Sequence, residues 1–523
     1  MAKAWWRKSR WPRSEDRHSY LGRSRLTPER ATLYKRRSEK SAEAVVTAGL
    51  AGGEGPNVKE DEARLSLEGS MPQMTRQLEL PFMGRGEAPR DERSAEGPTA
   101  AKGSGHPGND GDGLMERVLS RPNLKAALKR VRKNKGSPGA DGMTTEELLP
   151  YLWEHWARIR GEVLAGQYQP SPVLRQQIPK SGGGMRELGI PTVLDRLIQQ
   201  ALLQVLQPGF DATFSRHSYG FRPKRSAHDA VMAAKRYVQE GRRFVVDVDL
   251  EKFFDRVNHD VLMGRLARRI RDGRVLGLIR RYLNAGVMVN GVVTERGEGT
   301  PQGGPLSPLL ANVLLDEVDK ELERRGHSFV RYADDCNVYV RSRRAGERVM
   351  ALLRQLFASL RLRVNEAKSA VDLASKRKIL GYSFWVGAGR TVRLRVARKA
   401  LDAMKDRVRH ITRRNGGRSM ARVVAELRDY LPGWKNYFSL AETPGVFDGL
   451  DQWLRHRLRA IQLKQWKRGT TVYRELRVRG ASQHVAAAVA ANTRQWWRNA
   501  SMGLHRVLTT SHFDALGVPR LRA

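Results

Sequence analysis

The chain runs to 523 residues, enough for roughly three domains that each bury a core. It carries 95 Lys and Arg against 55 Asp and Glu, a formal net charge of +40 with a pI near 10.9, which no small neutral metabolite calls for and which points to a polyanionic partner. A single cysteine, Cys336, excludes a disulfide framework and a cysteine-rich zinc site and suits a reducing, intracellular compartment, while a mean hydropathy of −0.56 without a long apolar run excludes a membrane span.

Residues 1–110 lack sustained periodicity and are rich in Gly, Pro, Ser, Arg and Glu, a composition that predicts a disordered extension. Its first 40 residues hold 13 basic and 4 acidic side chains, the balance of a nucleic-acid arm or of an organellar presequence. The acids Glu15, Asp16, Glu29 and Glu39 argue against the presequence. From Leu114 the pattern alternates between helix and strand. Leu124, Leu128 and Val131 recur at helical spacing, followed by a turn over residues 136–142. Residues 244–249 (FVVDVD) read as a buried strand, and residues 330–340 (VRYADDCNVYV) as two short strands joined by a tight acidic turn. Beyond Val396 the chain becomes helical and basic, with apolar stripes at Ala397, Leu401, Met404, Val408 and Ile411 and at Leu450, Trp453, Leu454, Leu458 and Ile461. Residues 391–523 hold 27 Lys/Arg and 9 Asp/Glu, the composition of a nucleic-acid-facing module.

Asp247, Asp249, Asp334 and Asp335 are the residues that call for explanation. Two like charges about 4 Å apart repel by roughly 4 kcal/mol at an effective dielectric near 20, so clustering them makes sense where divalent cations offset the repulsion. Hard oxygen ligands suit Mg²⁺, which binds through one or two carboxylates plus substrate phosphates. A pair of such ions about 3.5–4 Å apart can serve phosphoryl transfer. Taken alone, Asp334 and Asp335 read more readily as ordinary turn residues and Asp249 as a helix cap, a preference that their context reverses.

The surrounding residues carry a resemblance. Tyr332-Ala-Asp-Asp335 between apolar strands resembles the catalytic hairpin of reverse transcriptases, and residues 249–255 (DLEKFFD) resemble the first metal-binding motif of the same palm. Between them, residues 299–308 (GTPQGGPLSP) look like the third motif of that family in its proper order. Residues 178–191 with 195–200, residues 218–223 with 226–228, residues 365–369 and residues 380–382 are similar to further blocks of group II intron reverse transcriptases, and residues 134–142 to an N-terminal block of that lineage. Residues 431–438, 450–459 and 464–468 look like the thumb and maturase region (domain X) of the same proteins.

The resemblance implies an α+β, right-hand polymerase fold with fingers, a palm built on an antiparallel sheet and a helical thumb, plus an α-helical maturase domain. Fingers and palm would occupy residues 111–390, thumb and maturase 391–523. It implies that Asp249, Asp334 and Asp335 are both catalytic and metal-binding, holding two Mg²⁺ ions for which Mn²⁺ could substitute, with Asp247 and Asp255 structural. Lys180 and Arg186 would bind the incoming triphosphate, Arg by a bidentate fork. Phe254 would exclude a ribose 2′-hydroxyl, Gln302 and the glycines after it would let backbone approach the nucleotide, and Lys368 would protonate departing pyrophosphate. Lys464, Lys467 and Arg468 are the expected RNA-binding residues, whereas Arg455, Arg457 and Arg459 alternate around their helix and do not share one face.

The implied activity is RNA-directed DNA synthesis together with binding of the group II intron RNA to promote its splicing and mobility. The partners would be that RNA, an RNA template with a DNA primer, target DNA and dNTPs, without a membrane, in a bacterial cytoplasm at the nucleoid. No endonuclease module is recognisable after Pro519, so priming from an existing DNA end is expected. Two rivals fit less of the sequence: a domesticated reverse transcriptase of a retron, diversity-generating element or defence system, and an RNA-folding maturase with a vestigial polymerase site.

Overall fold

In a computed structural model, the described residues are 113–522 apart from 180–184, 290–291, 295–296, 301–302, 388 and 390. The expected disordered extension, Lys180 and Gln302 therefore lie outside the described residues, as does the side chain of Arg186.

Helices α1 (Leu114–Val118), α2 (Arg121–Asn134) and α3 (Leu148–Leu164) open the described chain, with Leu124, Leu128 and Val131 buried along one face of α2. Strands β1 (Val173–Pro179) and β2 (Met185–Ile190) form an antiparallel hairpin, which β4 (Val287–Val289) and β5 (Val292–Thr294) extend into a sheet of order β2-β1-β4-β5. Helices α4 (Val193–Asp211), α5 (Ala227–Gln239), α6 (His259–Ala267) and α7 (Gly273–Asn284) intervene in the chain. Asp195, at the start of α4, is buried as a hub: the Thr192 hydroxyl donates to it at 2.7 Å, the Tyr168 hydroxyl at 2.8 Å and the Ser171 amide at 3.1 Å.

The second sheet joins β3 (Phe244–Val248), β6 (Ser328–Tyr332), β7 (Asp335–Val340) and β8 (Ala370–Leu373) in the antiparallel order β6-β7-β3-β8. Helix α8 (Ser307–Arg324) and helix α9 (Arg343–Ser359) pack on one face. Strand alternation divides the sheet between two cores. Val246, Val248, Cys336 and Val338 face the core shared with the N-terminal helices, while Val245, Val330 and Tyr339 face a second core that runs into the C-terminal helices. The expected strand and acidic hairpin are thus β3 and β6–β7, forming the palm.

A third sheet, β11-β10-β9, contains β9 (Lys378–Ile379), β10 (Tyr382–Val386) and β11 (Val392–Val396). The β10–β11 hairpin crosses residue 390, where the palm was expected to end, and helices take over only after Val396. These are α10 (Arg398–Ile411), α11 (Met420–Tyr437), α12 (Pro444–Trp466), α13 (Gly469–Val478), α14 (Gln483–Ala491), α15 (Trp496–Met502) and α16 (Thr510–Ala515). Met404, Val408 and Ile411 and then Leu450, Leu454, Leu458 and Ile461 bury the anticipated stripes. The palm is tied to this helical part by polar contacts. His228 Nε2 lies 2.7 Å from the Tyr437 carbonyl, the Tyr437 hydroxyl donates to the Leu380 carbonyl at 2.9 Å, and the Tyr382 hydroxyl donates to the Tyr437 carbonyl.

Candidate active site

One face of the palm sheet carries Val245, Asp247 and Asp249 along β3 and Tyr339, Asn337 and Asp335 along β7. Val245 stands opposite Tyr339, Asp247 opposite Asn337 and Val248 opposite Cys336, so the next step outward sets Asp249 against Asp335. At the Val245 end this face is covered; at the Asp249 end it opens into a cavity of about 540 Å³ whose wall includes Asp247, Asp249, Asp335, Lys368, Arg377 and Lys378. The sheet register therefore brings the sequence-predicted carboxylates together at an open edge.

Each carboxylate has its own support. Asp249 follows β3, and residues 365–369 cradle its backbone: the Ser369 hydroxyl accepts from the Asp249 amide at 3.0 Å, and the Asn365 amide donates to the Asp249 carbonyl at 2.8 Å. Lys368 brings its ammonium 3.5 Å from the Asp249 carboxylate, which places it beside the site. Asp334 lies in the two-residue turn between β6 and β7, beside Ala333, whose φ of 58° is a conformation that glycine normally supplies. Asp335 begins β7. Crowding by protein and the negative charges of Asp334, Asp247 and Asp249 push its carboxyl up to about 7. Its side chain lines the cleft, where a cation would relieve the repulsive part of that rise.

Asp247 is different. Arg377 donates to it from both Nε, at 2.9 Å, and Nη2, at 2.6 Å, while Nη2 also donates to the Lys368 carbonyl. Burial raises the Asp247 pKa and Arg377 opposes that rise. The arginine both compensates Asp247 and anchors the segment bearing Lys368, in line with a structural part for Asp247.

Phe254 sits half-buried in the 3₁₀ turn after Asp249, edge-on to Phe253 at 5.0 Å, and its carbonyl accepts from the Thr300 amide at 2.7 Å. This hydrogen bond joins the first and third palm motifs. The glycines after Gln302 are required by close approach within the protein: a Cβ on Gly303 would lie 2.7 Å from the Gly189 carbonyl, and one on Gly304 2.5 Å from the Gln199 side chain. Their expected contribution to nucleotide approach is thus joined by a packing constraint from β2 and α4.

Among the described residues no three acidic, histidine or cysteine side chains close a metal cage by themselves. A hard divalent ion takes one or two carboxylates and completes its shell with water and substrate phosphates. The all-oxygen donor set and the charge strain on Asp335 fit such an ion.

Sequence reading missed Arg377, one half-buried arginine of a basic chain with no local signal, and missed a strip on β9–β11. Lys378, Ser383 and Arg395 lie in one cross-strand row and Trp385 opposite Arg393 in the next. Arg395 and Arg393 sit over the Trp385 ring at 4.9 Å and 5.7 Å. Since Lys378 also lines the acidic cavity, this basic and aromatic strip begins at the site and leads away from it. In the helical part, Lys464, Lys467 and Arg468 are exposed at the end of α12. Arg455 is instead buried, donating to Asp451 and Asp514, and Arg459 is buried against the Leu508 carbonyl. Arg457 donates to the Thr412 hydroxyl at 2.6 Å.

Residues 178–384 match the family described as reverse transcriptase (RNA-dependent DNA polymerase), and residues 401–480 match the group II intron, maturase-specific domain. The chain is 38% identical to Protein YkfC of Escherichia coli (strain K12) over 216 residues, 40% of this chain and 57% of that protein. It is likewise 38% identical to the group II intron-encoded protein LtrA of Lactococcus lactis subsp. cremoris over 208 residues, 39% of this chain and 34% of that one. The matched part thus spans about a third to just over half the length of these relatives. Among solved structures, a chain of a partial Cas6-RT-Cas1–Cas2 complex matches with 28% identity and a TM-score of 0.32, covering 47% of this chain and 42% of that one.

Proposed function

We propose that the chain is a reverse transcriptase of group II intron type, a reverse transcriptase domain followed by a maturase-specific domain, which copies RNA into DNA and grips a group II intron RNA to promote its splicing and mobility. The observation that carries the polymerase reading is the register of β3 against β7, which sets Asp249 opposite Asp335 at the open end of the sheet, with Asp334 in the adjoining turn. Asp249, Asp334 and Asp335 would hold Mg²⁺, with Mn²⁺ as a substitute. When bound, the ion offsets phosphate charge and favours the ionised primer hydroxyl.

The chain's own residues do the rest. The primer 3′-oxygen forms a bond to the α-phosphorus of a dNTP as the bond to pyrophosphate breaks. Lys180 and Arg186 clamp the triphosphate, Phe254 leaves no room for a 2′-hydroxyl, and the Gln302 segment supports the nucleotide. Lys368, beside Asp249, supplies a proton to the departing pyrophosphate. The strip of Lys378, Arg395, Trp385 and Arg393 provides cations for phosphates and a ring for a base as the strand leaves the cleft. Exposed Lys464, Lys467 and Arg468 serve intron RNA. The partners are this RNA, a primed RNA template and target DNA, and the setting is the bacterial cytoplasm; no helix among the described residues is long and apolar enough to cross a membrane.

The test is extension of a DNA primer on an RNA template by the purified chain with dNTPs and Mg²⁺, alongside splicing of the cognate intron at low Mg²⁺. Template-length cDNA and faster splicing are expected. Absence of cDNA under conditions where the protein binds primer–template would refute the polymerase reading.

A further inference from the structure

The strongest polar cluster outside the acidic site lies directly beneath its turn. Arg331, two residues before Ala333, is fully buried, as is Asp319 on α8. All five guanidinium N–H groups are used. Nε donates to Asp319 Oδ1 at 2.8 Å, Nη2 to Asp319 Oδ2 at 2.6 Å and to the Ser218 hydroxyl at 2.8 Å, and Nη1 to Asn312 Oδ1 at 2.8 Å and the Ala333 carbonyl at 2.9 Å. The backbone is fixed as well: the Arg331 amide donates to the His217 carbonyl and the Tyr219 amide to the Arg331 carbonyl, both at 2.9 Å.

The backbone of the turn also meets Gly220. A Cβ there would lie 2.2 Å from the Ala333 nitrogen and 2.9 Å from the Tyr332 carbonyl carbon, both backbone atoms unable to step aside. Asn312 links Gly220 to Arg331, since its Nδ2 donates to the Gly220 carbonyl at 3.0 Å while its oxygen accepts from Arg331.

Two physical arguments give this cluster a purpose beyond stability. A buried ion pair contributes little net stability compared with well-packed apolar side chains of similar volume, so folding alone does not call for it. Ala333 in a left-handed conformation is strained, and such a conformation persists only where its surroundings over-determine it. Arg331 at the Ala333 carbonyl and Gly220 at the Ala333 nitrogen supply that determination. A lysine, with three donors on a point charge, cannot span Asp319, Asn312, Ser218 and Ala333 together.

We propose that Arg331 is a positioning residue for the acidic turn: through the Ala333 carbonyl, and with Gly220 packed against the Ala333 nitrogen, it fixes Asp334 and Asp335 against Asp249. This rests on the reading of those carboxylates as the polymerisation centre. Catalysis by pre-aligned groups is sensitive to displacements on the order of 1 Å, which a loosened turn would permit.

The test uses the full chain with the paired substitution Arg331→Met/Asp319→Leu, which removes the ion pair as a unit and keeps the site apolar. Three properties are read: thermal midpoint, hydrogen exchange of the amides of residues 333–336, and primer extension resolved into kcat, KM for dNTP and primer–template affinity. We expect a thermal midpoint close to wild type, exchange faster by about tenfold, and kcat lower by about tenfold or more with primer–template affinity unchanged. Arg331→Lys should not restore kcat. Wild-type exchange and kcat in the folded double variant would overturn the proposal. Should that variant fail to fold, Asn312→Ala leaves the Arg331–Asp319 pair intact while removing the bridge to Gly220. It should speed exchange and lower kcat in the same directions by less, and unchanged values would equally overturn the proposal. If the wild type makes no cDNA, the functional reading fails, and hydrogen exchange alone then decides whether Arg331 sets the turn.

Discussion

The acidic end of the palm sheet and the basic helical region after Val396 concentrate opposite charges, and they do so by different means. On the palm, a two-stranded register collects carboxylates from distant parts of the sequence at one edge, where burial and their mutual repulsion push Asp335 up to about 7. In the helical region the cations are spread through the sequence, and burial sorts them. Arg455 and Arg459 are spent on internal acceptors, whereas Lys464, Lys467 and Arg468 stand in solvent. A surplus of charge thus marks a region suited to nucleic acid without marking the residues, while a crowding of like charge marks residues directly.

The largest expected effect breaks the acidic side. Asp249→Asn removes one charge from the shared cation site, a loss of several kcal/mol of transition-state stabilisation or on the order of a thousandfold in rate. Single-nucleotide incorporation at saturating dNTP measures it, and a loss below tenfold would remove Asp249 from the site.

The basic side is tested by neutralising Lys464, Lys467 and Arg468 together. Each lost phosphate contact should lower the magnitude of the salt slope of log affinity for intron RNA by about 0.7–0.9, with weaker binding at a given salt. Extension of a short generic primer–template should fall less. Equal losses in both assays from a folded variant would assign these residues to the polymerase thumb.

Sugar choice sharpens the acidic side further. Phe254→Ala opens space beside the nucleotide sugar, so the ratio of rNTP to dNTP incorporation efficiency should rise while dNTP incorporation changes little. An unchanged ratio would make Phe254 a packing residue.

The smallest effect concerns stability. Asp335 rises from its ordinary 3.8 to about 7 in the folded chain, so between those values the folded state keeps a proton that the unfolded chain releases. Its contribution to stability is therefore fully present below about 4 and is lost as pH rises through about 7. Without divalent cation, Asp335→Asn should raise the thermal midpoint by a few degrees at pH 8 and less at pH 5. Added Mg²⁺ should stabilise the wild type more at pH 8 than at pH 6, as followed by thermal melts.

The palm strands and the hairpin were legible because alternating apolar residues around 244–249 and 330–340 leave few other readings, and the C-terminal helices because their stripes have helical period. The carboxylates were legible only with their motifs: Asp-Asp in a turn says little until its flanking strands and residues 299–308 are seen in order. What sequence did not disclose are relations between distant residues. Nothing near Arg377 announces Asp247, and nothing near Arg331 announces Asp319, Ser218 and Asn312. The Lys378–Trp385–Arg395 strip likewise arises from pairing across three strands. Gly303 and Gly304 were read toward a nucleotide, yet the space beside them is filled by Gly189 and Gln199, a constraint set by tertiary approach.

The division of labour between the acidic edge and the basic helices is tested most directly by Asp334→Asn in two assays on one preparation at matched salt: primer extension on an RNA template and affinity for intron RNA. The account predicts loss of Mg²⁺-dependent cDNA synthesis with RNA affinity unchanged. Near-wild-type synthesis by the variant, or loss of RNA binding in a protein with an unaltered melt, would contradict it.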